Sequence, residues 1–193
     1  MPLQLAEGPA DAAGLTMSVE VLADRIPSYA KDLRLNLQSV LRQSELSEQQ
    51  LWGTAVASAI ASRNAETLTA VLEDARHHLS PQALEAAKSA AAIMGMNNVY
   101  YRFLHLTSNE RYSTIPARLR MNAIRMHGVD HADFELWCLA VSAINNCEAC
   151  VASHEKVVRE KGLSEEAILA TVRVASVVHA VAAVMDAEVL QPV

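Results

Sequence analysis

The chain has 193 residues, of which 51% are hydrophobic and only 4% aromatic, and it carries a net charge of −6. That length is enough for one domain with a sizeable core, and the abundance of Ala over aromatic residues favours close-packed helices over sheets. The acidic balance argues against a nucleic-acid partner, and three cysteines cannot supply the disulfide framework of a small secreted fold.

Residues 1–16 are rich in Ala, Gly and Pro and lack helical periodicity, so they read as a loose tail. No basic residue precedes Arg25 and no signal-like apolar run is present, which points to a cytoplasmic protein. Met17 opens the patterned region and is a candidate natural start. From there to residue 193 the expectation is all-α. Ser47 with Gln50 forms a capping box, Asn64 can cap the next helix, and Ser80 precedes Pro81 at a first helical position. Pro116, Asp130 or His131, Asn145 or Asn146, and Ser164 mark later starts, and Gly162 ends one helix. The most apolar stretch, Ala167 to Leu190, is interrupted by Arg173, His179 and Asp186 and reads as a core helix, with no membrane span expected. No strand pattern is present.

The chain repeats itself. Leu51-Trp52-Gly53-Thr54-Ala55-Val56 is echoed by Leu136-Trp137-Cys138-Leu139-Ala140-Val141, and Leu79-Ser80-Pro81-Gln82-Ala83 by Leu163-Ser164-Glu165-Glu166-Ala167. Two related helical halves within one domain follow, about 17–106 and 107–193. Only the second carries candidate chemistry. At an offset of 84, Cys147, Cys150 and His154 correspond to Arg63, Glu66 and Ala70.

That chemistry is Asn145-Asn146-Cys147-Glu148-Ala149-Cys150 followed by His154. On a helix starting at this point the two thiols and the imidazole lie within roughly 60° of one another. Unpaired N–H groups and the positive end of the dipole stabilise a thiolate there, so the motif reads as a redox dithiol. The dipole favours Cys147 as the attacking thiol, while His154 lies one turn from Cys150, and the residues alone do not choose between the two. Glu135, on the preceding helix, lies about 15 Å down one arm of a helical hairpin and His154 about 11 Å down the other. The two can meet as a carboxylate–imidazole–thiol relay, although an acidic residue in a first helical turn is also ordinary. Cys138 follows Trp137 inside an apolar helix and is expected in the core. Structural zinc on Cys147, Cys150, His154 and Glu135 is a rival reading, though such sites usually draw on two cysteine pairs or a pair plus two histidines.

The run Phe134-Glu135-Leu136-Trp137, Ala140 to Asn145, Cys147-x-x-Cys150 and His154 resembles the alkyl hydroperoxidase D family. The resemblance extends through Tyr29-Ala30-Lys31-Asp32, Gln50 to Thr54 and Ala92 to Val99, and covers nearly everything from Met17 to about Leu190. It implies an all-helical homotrimer and an antioxidant peroxidase that reduces organic hydroperoxides through a Cys147–Cys150 dithiol–disulfide cycle. It further implies Cys150 as the sulfenic acid former, Cys147 as proton donor and resolving thiol, and Glu135 with His154 as the relay. No bound cofactor or metal is implied. The implied reductant is a dihydrolipoyl group on a lipoylated acyltransferase subunit, recharged by dihydrolipoamide dehydrogenase, with a peroxiredoxin as a further partner. The family commonly carries a histidine just before the second cysteine, where this chain has Ala149; the departure bears on rate more than on reaction type. A dithiol reductase dedicated to one partner protein is the enzymatic alternative.

Overall fold

The computed structural model describes residues 17–125 and 127–189, and among these the fold is all helical. The tail expected over 1–16 lies outside the described residues. Two short helices, α1 (Val19–Arg25) and α2 (Lys31–Val40), lead into α3 (Glu48–Ser62), α4 (Ala65–His78) and α5 (Pro81–Thr107). After a short α6 (Glu110–Thr114) come α7 (His131–Ile144), α8 (Glu148–Glu160) and α9 (Glu165–Val189).

The caps explain these boundaries. Ser47 accepts from the Gln50 N–H while the Gln50 side chain accepts from the Ser47 N–H, so the capping box is formed. Asn64, Ser80 and Asp130 accept from Thr67, Ala83 and Ala132, respectively. Ser164 accepts from the Ala167 N–H at 3.2 Å. Two expected starts fall elsewhere. No helix begins at Pro116: the chain is non-helical until a 3₁₀ turn at Asn122–Ile124, because Arg118 takes a left-handed φ of 53° and Ile115 and Leu119 find no core to bury against. Nor do Asn145 and Asn146 cap α8. Asn145 closes α7, Asn146 reverses the chain with a φ of 54°, and Cys147 itself is the cap residue. Asn tolerates the left-handed region better than other non-glycine residues, so its presence marks the turn rather than the helix start.

Helices α3 and α7 form the centre. Every residue from Leu51 to Ala59 and from Ala132 to Ser142 is buried, so both helices are covered all round, as their even apolarity requires. They cross where Gly53 meets Trp137: a Cβ at Gly53 would fall inside the indole ring. The indole N–H donates to the Gln50 carbonyl at 3.2 Å, fixing the ring against the α3 backbone. The apolar α9 packs on α2, α3 and α7 and buries Val174, Val178, Val181 and Met185. Its hydropathy serves this core.

The succession α3, α4, α5 with 15, 14 and 27 residues is followed by α7, α8, α9 with 14, 13 and 25. In the first set, Arg63 is the left-handed cap of α3, Glu66 pairs with Arg25, and Ala70 is buried. The turn between α7 and α8 differs in holding the sulfur chemistry.

Candidate active site

The α7–α8 turn is fastened by one stripe of α5. Met94, Asn98 and Arg102, spaced by four, share a helix face. Asn98 Nδ2 donates to Ser142 Oγ at 2.9 Å, Asn98 Oδ1 accepts from Asn145 Nδ2 at 3.0 Å, and Arg102 Nη1 donates to the Asn145 carbonyl at 2.7 Å. The Cys147 N–H donates to the Ser142 carbonyl at 3.1 Å. Buried polar groups satisfied in this way define one geometry for the turn.

Cys147 and Cys150 are joined as a disulfide, with Cα atoms 5.3 Å apart. Cys147 is fully buried and Cys150 is 6% exposed. Cys150 lies in the first turn of α8, whose N-terminal N–H groups favour negative charge on sulfur once the bridge opens.

Glu135 and His154 meet across the hairpin. His154 Nδ1 is 2.6 Å from Glu135 Oε2, and their side chains are 12% and 6% exposed. Since a carboxylate only accepts, Nδ1 carries the hydrogen, which leaves Nε2 of the neutral ring as the basic atom. In the disulfide state Nε2 stands 3.2 Å from Met94 Sδ. A protonated Nε2 can donate to that sulfur, so Met94 offers the imidazolium a soft acceptor.

Cys150, Glu135 and His154 all line a cavity of about 400 Å³. Its other walls are largely apolar, with Met94, Tyr101, Met121, Ile124 and Val157. Ala149 lines it too. Thus the structure brings Glu135, His154 and Cys150 to one chamber, with Cys147 covalently attached behind. Cys138 stands apart as a free, fully buried thiol, its pKa pushed well up by burial and then by the Glu135 charge. It is no nucleophile at neutral pH.

Sequence reasoning missed several contributors. Met94, Asn98 and Ser142 gave only a weak signal, as polar or sulfur-bearing positions in Ala-rich helices. His131 is more legible in retrospect: it precedes Glu135 by one helical turn, and its Nε2 lies 3.7 Å from Glu135 Oε1.

The carboxymuconolactone decarboxylase family profile matches residues 111–189. The chain is 62% identical over 173 residues to alkyl hydroperoxide reductase AhpD of Acidobacterium capsulatum, covering 89% of this chain and 94% of that protein. It is 60% identical over 172 residues to the protein of the same name from Solibacter usitatus, covering 89% and 97%. With that of Gluconacetobacter diazotrophicus it shares 61% over 170 residues, covering 88% and 93%. With this identity along nearly the whole length, the chain belongs to the alkyl hydroperoxide reductase AhpD family.

Proposed function

We propose that the protein is a thiol peroxidase that reduces alkyl hydroperoxides by cycling Cys147 and Cys150 between dithiol and disulfide. The observation that carries this reading is the buried Glu135–His154 pair opening on the same apolar cavity as Cys150. In the oxidative half, His154 Nε2 takes the Cys150 proton and the thiolate attacks the peroxide oxygen. The O–O bond breaks, giving a sulfenic acid on Cys150, and Cys147 protonates the departing alkoxide. The Cys147 thiolate then attacks the Cys150 sulfur. The hydroxide expelled takes the proton held by His154 and leaves as water. Dithiol and hydroperoxide thus become disulfide, alcohol and water.

In the reductive half, a dihydrolipoyl group opens the disulfide through a mixed disulfide and leaves as the oxidised ring. Family resemblance supports this donor, carried on a lipoylated acyltransferase subunit and recharged by dihydrolipoamide dehydrogenase in the cytoplasm, with a peroxiredoxin as a further electron acceptor. It also supports a homotrimer. Val99, Phe103 and Leu106 stand exposed along one stripe of α5 and offer an apolar face for a subunit contact.

The test is steady-state turnover of cumene hydroperoxide with dihydrolipoamide and no partner protein. Turnover with loss of two thiols per oxidised chain is expected, with Cys138 still free. Disulfide reduction without peroxide turnover would instead mark a dithiol reductase serving one partner protein.

A further inference from the structure

Glu135 is held from two sides. Its Oε2 meets His154 in the cavity, and its Oε1 faces His131, whose side chain is 42% exposed. Both imidazoles therefore bear on one buried carboxylate, and only the outer one faces bulk water freely. We propose that His131 is a positioning residue that couples the pH of the medium to the charge of the Glu135–His154 pair, and so sets the acid limit of peroxide reduction. This inference rests on the thiol peroxidase reading above.

The sign follows from electrostatics. Neutral His131 leaves the full carboxylate charge to stabilise an imidazolium at His154. When His131 becomes cationic, part of that field is offset through a medium of low effective dielectric constant. His154 then holds the Cys150 proton less well, the thiolate–imidazolium pair is less populated, and peroxide attack slows. A single carboxylate shared by two imidazoles makes their titrations interdependent.

The surroundings place the outer charge on His131. His127 lies behind it, with Nε2 3.4 Å from His131 Nδ1 and its ring stacked on Phe134 at 4.2 Å. Burial, followed by the charge of His131, lowers the pKa of His127, so it is the poorer proton acceptor. Asp130 is committed to the α7 N-terminus, where it accepts from the Ala132 N–H at 2.8 Å. Asp133 is turned to α3, accepting from Gln49 Nε2 at 2.7 Å and Gln50 Nε2 at 2.8 Å. Cys138, beneath Glu135, stays a neutral thiol. His131 is thus the outer titrating group in direct ionic reach of Glu135.

The test uses the full-length chain and two opposed substitutions, His131→Gln and His131→Lys. Acid-limb kcat/KM for cumene hydroperoxide should rise about threefold in His131→Gln, which cannot charge. In His131→Lys, a fixed cation, activity at neutral pH should fall toward the acid level of the natural chain. A mere loss of packing would depress both variants and could not move them in opposite directions. Independently of turnover, the imidazole nitrogen resonances of His154 should titrate at higher pH in His131→Gln than in the natural chain. Identical His154 titration in all three proteins would overturn the coupling. Absence of any peroxide turnover in the natural chain would instead sink the peroxidase reading and leave the His154 titration to judge the coupling.

Discussion

Glu135 Oε2 lies 2.6 Å from His154 Nδ1 across the α7–α8 hairpin, joining two side chains 19 residues apart in sequence. Because the carboxylate acts only through the imidazole, the two form one unit, and their losses should not add. Glu135→Gln and His154→Gln should each lower kcat/KM by about 10²-fold, with the double variant scarcely worse than either single one. A double variant whose loss is the product of the two would show that the residues act separately.

The cysteines should separate by role. Cys147→Ser and Cys150→Ser should each abolish steady-state turnover, yet only Cys147→Ser should yield a sulfenic acid that dimedone traps and mass spectrometry locates on Cys150. The adduct on Cys147 in Cys150→Ser would reverse the assignment. Cys138→Ser should retain turnover, because that thiol is fully buried and holds its proton.

Gly53 sits beneath Trp137 at the crossing of the two central helices. Gly53→Ala should gain helix propensity and still destabilise the fold, by about 1–3 kcal/mol, since the fully buried indole ring stands where the added methyl would go. Urea unfolding followed by circular dichroism reads this directly. A neutral or stabilised variant would mean that α3 and α7 slide apart at little cost.

Acid should weaken the fold through His127. Its folded pKa lies below the ordinary histidine value because of burial and then the charge of His131, so the unfolded chain takes up a proton that the folded chain resists. The associated stability is complete above the unfolded pKa, about 6.5, and is lost as pH falls through the folded value. Between pH 7.5 and 5, the stability of His127→Gln should decline less steeply than that of the natural chain. The slope is the quantity to compare, because the substitution also removes the Phe134 stack.

Much of this arrangement was legible before the structure. The capping residues at Ser47, Asn64, Ser80 and Asp130 announce their helices because each short side chain does a local task that the backbone demands. Glu135 and His154 could be paired from helix rise alone, since a hairpin with a short turn sets both arms in register. The asparagines misled at the same turn. A residue able to cap can equally reverse the chain, and only the tertiary bonds from Asn98 and Arg102 decide which it does. Met94 gave little signal for a similar reason: it reaches His154 from 60 residues away, and no local pattern records such a contact.

The depth of the two sulfurs carries a consequence for electron supply. Cys147 is fully buried and Cys150 is 6% exposed on the cavity wall, so little of the bridge is offered to the surface of a folded donor. In-line attack on a disulfide needs the incoming sulfur at van der Waals range along the bond axis. Burial of both sulfurs therefore makes steric access, besides redox potential, a condition on any reductant that opens the bridge.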